Sequence, residues 1–335
     1  MIYWRPIPMR DPARPRGALP LAGGAVWFDR VERIARDGAR GIVPLSEVPG
    51  DRLDVLSAPR PDFAGLAMDR PRIMAILNVT PDSFSDGGQH LAPEAALAMA
   101  RRAEADGADI IDVGGESTRP GSDPVPVGDE IARAVPVIAA IRAGSSVPVS
   151  IDTRKAAVAR AALEAGAGVV NDVAALTHDP ALAPLLAEAG APVVLMHHQG
   201  PPRTMQHDPQ YADVVLDVYD WLAERIAFAE SAGIPRARIV VDPGIGFGKT
   251  LQHNVSLLRH LSLYHGLGCA VMLGASRKRF IGTLTGTDDP QARMPGSLAV
   301  ALHGAAQGVQ FLRVHDTGET RQALGLHAAL GGGTG

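Results

Sequence analysis

Asp109-Ile110-Ile111-Asp112-Val113-Gly114-Gly115-Glu116-Ser117-Thr118-Arg119-Pro120-Gly121 decides the fold. Its first half is apolar on both faces. A strand with one wet face would alternate, so this run reads as a strand buried in a parallel sheet. A Gly/Ser/Pro-rich loop follows it, and residues 128–143 then repeat apolar side chains at helical spacing. The unit is strand, loop, helix.

The same unit recurs outward in both directions. Apolar runs fall at 73–79, 109–113, 147–151, 168–173, 192–196, 239–241, 270–273 and 310–314. Helical segments follow at 94–106, 128–143, 155–165, 180–189, 211–232, 254–263, 277–284 with 295–307, and 320–330. Eight strand–helix units over about 260 residues match an α/β closed (β/α)8 TIM barrel. A doubly wound open sheet is the alternative, but no GxGxxG follows the first strand. The barrel is expected over 71–330, with a flexible tail at 331–335. Residues 1–70 form an N-terminal extension. Within it, 25–28, 30–36 and 42–45 read as a small β-α-β appendage, and 49–70 as irregular.

Composition narrows the function. Of 335 residues, 46% are hydrophobic and 20% charged, enough apolar content for a packed core. Lys+Arg of 32 against Asp+Glu of 36 argues against a nucleic-acid or membrane-surface binder. A single cysteine, Cys269, leaves no disulfide framework and no cysteine metal cluster. The first 20 residues carry Arg and Pro throughout and lack an apolar signal core, so a cytoplasmic protein is expected. Only three lysines occur, Lys155, Lys249 and Lys278. Where Arg replaces Lys so freely, each remaining Lys raises the question of whether a compact ammonium is needed there.

In such a barrel the reactive face is the carboxyl end of the strands. The runs deliver Asn78, Asp112, Asp152, Asn171 with Asp172, Met196-His197-His198, Asp242, then Ser276-Arg277-Lys278, and finally Arg313 with His315 and Asp316. One such residue is often a turn former or helix cap, and Asp172 reads that way. Polar groups at most strand ends are better explained by a ligand with many hydrogen-bonding edges. His197-His198 is not read as a metal site, since adjacent residues diverge and no third ligand is spaced to join them. Gly248-Lys249-Thr250 resembles the end of a phosphate-binding P-loop, but Pro243 stands where that motif needs Gly. Lys155 reads as a solvated surface residue. The loops after strands one and two carry Phe84, Thr118 and Arg119 and are long enough to be substrate lids.

These motifs resemble the dihydropteroate synthase family. Residues 76–88 (Ile-Leu-Asn-Val-Thr-Pro-Asp-Ser-Phe-Ser-Asp-Gly-Gly) are similar to its first signature, and 109–121 to its second. Further matches are Ser150-Ile151-Asp152-Thr153, Val170-Asn171-Asp172-Val173, Leu195-Met196-His197, 242–249, 274–278 and Arg313-Val314-His315-Asp316. The resemblance covers 71–330. It implies a TIM barrel, commonly a homodimer, that joins 7,8-dihydropterin-6-ylmethyl diphosphate to 4-aminobenzoate with loss of diphosphate. Sulfonamides compete with the aminobenzoate.

By this resemblance, Asp152, Asn171, Asp242 and Lys278 form the pterin pocket, and Arg313 and Met196 sandwich the ring. Asn78, Thr118, Arg313 and His315 hold the diphosphate, with Mg²⁺ between Asn78 and the phosphate oxygens. Phe84, Thr118, Arg119, Pro120, Phe247 and Lys278 surround the aminobenzoate. Asp152, Lys278, Arg313 and His315 are the expected catalytic group. Arg279 departs from the family, which often has Ser there touching the aminobenzoate carboxylate; His198 stands where Met is common. The competing readings are a pterin-dependent corrinoid methyltransferase and a non-catalytic pterin-binding paralogue.

Overall fold

In the computed structural model, which describes residues 1–79, 92–117, 121–201 and 203–331, the N-terminal extension is mostly sheet. Its strands are β1 (Ile2–Pro6), β2 (Leu19–Pro20), β3 (Trp27–Phe28), β4 (Arg30–Ala35) and β5 (Arg40–Pro44). β1, β4 and β5 form an antiparallel sheet, and β2 pairs with β3. The β-α-β expectation is therefore corrected: 30–36 is strand, not helix. Val31 and Ile34 are both fully buried, and their three-residue spacing imitates a helix. Partners on both sides decide otherwise. Glu32 lies opposite Arg5 across the β1–β4 pair and receives its Nε at 2.6 Å. Tertiary pairing outweighs a weak local preference.

The stretch read as irregular carries a helix, α1 (Gly50–Ser57), and ties the extension to the barrel. Arg60 is buried and donates to the carbonyls of Val55, Ala58, His265 and Cys269. Phe63 and Met68 pack with Met74, Ile110, Val169, Val194, Val240, Met272 and Phe311.

Those last seven side chains come from the barrel. Its strands are β6 (Arg72–Asn78), β7 (Ile110–Gly114), β8 (Val149–Asp152), β9 (Val169–Asp172), β10 (Val193–Met196), β11 (Ile239–Asp242), β12 (Ala270–Leu273) and β13 (Phe311–Val314). All eight are parallel and closed in chain order, with β13 pairing back to β6. The helices between them are α2 (Ala92–Ala105), α3 (Val127–Gly144), α4 (Ala156–Glu164), α5 (Leu182–Ala189), α6 (Val214–Ser231), α7 (Leu251–Arg259), α8 (Arg279–Thr285) and α9 (Met294–Ala306), and α10 (Thr317–Leu330) closes the chain. The eight expected strands are all present. The register sets the site: Gly114 pairs with Asp152, Asp152 with Asn171, and Met196 with Asp242. The polar strand ends therefore share one rim.

Candidate active site

The carboxyl ends of the strands open into a cleft lined by Asn78, Asp152, Phe247, Lys278, Arg279, Arg313 and His315, among others. Asn171, Asp242 and Met196 are not on its wall; they are only 2, 2 and 4% exposed. They join the site through their neighbours. Arg313 donates through Nε to Asp112 Oδ2 at 2.6 Å and through Nη2 to Asp152 Oδ2 at 2.7 Å. Asn171 Nδ2 donates to the same Asp112 oxygen at 3.0 Å. Asp242 accepts the Gly244 N–H at 2.7 Å and feels the charges of Lys278, Lys249 and Arg313. Asn171, Asp242 and Lys278 thus belong to one constellation, centred on Arg313.

Three buried oxygens in it have no hydrogen-bond partner among the described residues: Asp112 Oδ1, Asp152 Oδ1 and Asn171 Oδ1. Unpaired buried acceptors are costly. Clustered under a cleft, they call for a ligand that brings donors.

The electrostatics follow from burial. Loss of water pushes the Asp152 carboxyl up to about 7; Arg313 opposes this, and the carboxylates of Asp112, Glu130 and Asp172 add to it. Burial also raises Asp242 against the pull of Lys278. Burial alone would lower the Arg313 guanidinium, but Asp112 and Asp152 outweigh it and hold it charged. Asp172 takes the structural part read for it: its carboxylate accepts the N–H groups of Ala174 and Leu176.

Other side chains complete the site. Lys278 Nζ donates to the Ile245 carbonyl and lies 4.6 Å from the centre of the Phe247 ring. Ser276 Oγ sits 3.0 Å from His315 Nδ1. Arg279 is exposed at the rim. His198 Nδ1 meets the Gly200 carbonyl at 3.3 Å, and its ring lies edge-on to Trp221. Phe84, Thr118, Arg119 and Pro120 lie outside the described residues, as does the tail beyond 331.

Two sequence readings change. Lys155 is not a solvated surface residue: it is 9% exposed and donates to Glu130 and the Val125 carbonyl, both at 2.6 Å. The cause is Glu130, a fully buried carboxylate on α3 that needs a counter-charge. Asp112 was placed at a strand end but given no role, yet it is the residue that joins Asn171 to Arg313. Its signal was a carboxylate inside an apolar run, where a charge must have a partner.

Chemically, the rim combines acceptors for ring N–H groups with Arg313 and Lys278 as cations for a leaving anion. The family model described as pterin binding enzyme matches residues 74–315. Among curated proteins, the dihydropteroate synthase of Neisseria meningitidis serogroup C is 47% identical over 269 residues, covering 79% of this chain and 95% of that protein. That of Escherichia coli K12 is 46% identical over 259 residues, covering 77% and 91%. Among solved structures, Xanthomonas albilineans dihydropteroate synthase with 4-aminobenzoic acid superposes with a TM-score of 0.77 at 50% identity, covering 81% of this chain and 98% of that one. The same enzyme in complex with 7,8-dihydropteroate superposes at 0.72 and 44% identity, covering 82% and 98%. The chain belongs to the dihydropteroate synthases, the transferases of folate biosynthesis within the pterin-binding enzyme family.

Proposed function

We propose that the pterin ring of 7,8-dihydropterin-6-ylmethyl diphosphate binds edge-on to the buried acceptors. Its amino group and ring N–H donate to Asp152, Asn171, Asp242 and Asp112, and its carbonyl and N5 accept from Lys278. Met196 and the flat Arg313 guanidinium lie on its two faces. The observation that carries this reading is the cluster of unpartnered oxygens on Asp112, Asp152 and Asn171.

Arg313 and His315 then bind the diphosphate and take up the charge that grows as its bond to the methylene carbon breaks. The carbon left behind is a cation delocalised into the pterin, and the Asp152 carboxylate stabilises it. The aromatic amine of 4-aminobenzoate, held near Phe247 and Lys278, attacks that carbon and releases a proton. Arg279 at the rim supplies a cation for the aminobenzoate carboxylate.

Asn78 fits a magnesium site. It lines the cleft and offers a neutral amide oxygen, and the described residues hold no carboxylate or histidine cluster that could ligate a metal by itself. A small hydrated ion held by one protein oxygen and the substrate phosphates suits that donor set. When bound, it would neutralise the leaving diphosphate.

Exposed Leu326 and Leu330, one turn apart on α10, offer apolar side chains for the homodimer that the resemblance implies. Among the described residues no helix is long and apolar enough to cross a membrane. Calorimetric titration of the pterin diphosphate into the wild-type chain and Asp242→Ala tests the pocket. Binding should be lost in the variant. Normal binding and turnover by Asp242→Ala would overturn the assignment.

A further inference from the structure

Lys249 is a buried lysine that the proposed chemistry leaves without a role. It is 3% exposed and follows the turn 243–248. Its Nζ lies 3.0 Å from the Phe247 carbonyl, 2.9 Å from His197 Nδ1 and 3.5 Å from the His197 carbonyl. Burial lowers the Lys249 ammonium and the Asp242 carboxylate opposes this; as an ammonium it has only donors, so His197 Nδ1 then accepts and the imidazole carries its proton on Nε2. The His197 ring is fixed edge-on against Trp221, with centres 4.8 Å apart. Burial and the Lys249 charge both keep this imidazole neutral.

The turn is seated on the residues after β10, backbone against backbone. A Cβ on Gly244 would fall 1.9 Å from the His197 carbonyl oxygen, and one on Gly248 would fall 2.3 Å from that of Gln199. Both glycines have positive φ. Lys249 pins the two segments together at that contact. Asn254 secures the turn separately by accepting the Gly246 N–H at 2.7 Å. What the turn presents to the cleft is the seat of Lys278: the Ile245 carbonyl that accepts its Nζ, and the Phe247 ring beneath it.

We propose that Lys249 is a positioning residue for the aminobenzoate half of the reaction, acting through the Phe247 carbonyl to fix the Phe247 ring. An ammonium is compact and its donors point out of one plane, whereas a guanidinium is larger and its five donors lie in one plane. This assignment rests on the reading of Phe247 as an aminobenzoate contact.

The test uses the full chain, with diphosphate release as the assay and calorimetry for the pterin diphosphate. Lys249→Met should raise KM for 4-aminobenzoate at least tenfold while the pterin dissociation constant moves less than threefold. Lys249→Arg should not restore KM. In a Phe247→Leu background, Lys249→Met should raise KM less than threefold, because the ring it places is already gone. If Lys249→Met does not fold, Lys249→Gln, which keeps a polar group in the buried seat but is too short to hold the Phe247 carbonyl and His197 together, is read by the same criteria. A rise in KM matched by an equal loss of pterin affinity would mean a general loss of structure and would overturn the proposal. So would an unchanged KM, or effects of Lys249 and Phe247 that multiply. A wild-type enzyme releasing no diphosphate would overturn the functional reading as well; an active wild type with an unaffected Lys249→Met overturns this assignment alone.

Discussion

Arg313 and Asp112 stand 201 positions apart in the chain, and Arg313 Nε donates to Asp112 Oδ2 at 2.6 Å beneath the cleft. The same guanidinium holds Asp152, and the same Asp112 oxygen holds Asn171. One cation therefore compensates two buried carboxylates. Arg313→Ala should cost about 3–5 kcal/mol, because it strands both charges. It should also lower kcat by roughly 10²–10³-fold, as loss of a charge-stabilising donor does. Urea unfolding and diphosphate release measure the two effects. An Arg313→Ala enzyme with normal turnover would remove Arg313 from the chemistry.

Asp112→Asn isolates the residue that the strand-end reading left without a role. The amide keeps the shape but loses the charge-assisted bond from Arg313, at a cost of roughly 1.5–3 kcal/mol. Pterin affinity should fall at least tenfold, because the acceptor row is disturbed. Calorimetry reads the affinity; an unchanged value would confine Asp112 to a structural part.

Asp152 predicts two opposite pH trends. Its carboxyl is pushed up to about 7 from 3.8, so the folded chain binds this proton more tightly than the unfolded one. Its stabilising contribution is full below about pH 4 and is lost as the pH rises through about 7. Asp172, raised to about 6 by burial, adds to the same fall. Pterin affinity should move the other way, rising through about pH 7 as Asp152 ionises and becomes a pure acceptor. Asp152→Asn should flatten both curves near pH 7. Denaturant midpoints and titrations from pH 4 to 8 check this, and identical slopes in the variant would contradict it.

Lys155 predicts a stability effect. Lys155→Met leaves Glu130 buried and unpaired and should cost about 3–5 kcal/mol. Adding Glu130→Gln should recover much of that loss, although Glu130 also accepts the Thr153 hydroxyl at 2.6 Å. Thermal melting of the single and double variants decides it; a double variant weaker than both singles would argue against a charge-compensation role.

The barrel was legible because its strands are apolar on both faces and its helices keep their own period. The rim was legible because Asn78, Asp152, Asn171, Asp242 and Arg313 close apolar runs where a charge or amide needs a reason. Asp112 was harder to interpret, since its partner lies on the last barrel strand and no local spacing points there. Lys155 misled for the same reason, with its counter-charge on the preceding helix. In the extension, Val31 and Ile34 imitate a helix because their spacing serves both structures; only pairing with β1 and β5 decides.

The floor of the barrel gives a prediction independent of chemistry. Phe63 from the extension is 2% exposed and meets the Phe311 ring at 5.5 Å, edge to face. Phe63→Ala should cost about 3–5 kcal/mol by leaving a cavity under the strands. KM for both substrates should stay within twofold, since the site is at the opposite end. Denaturant unfolding and steady-state kinetics separate the two.

The most direct measurement is diphosphate release from the dihydropterin substrate by the purified chain with Mg²⁺, with and without 4-aminobenzoate. Sustained release that depends on 4-aminobenzoate, with one dihydropteroate formed per diphosphate, is the predicted result. Release indifferent to 4-aminobenzoate, or pterin binding with no release at all, would contradict the account.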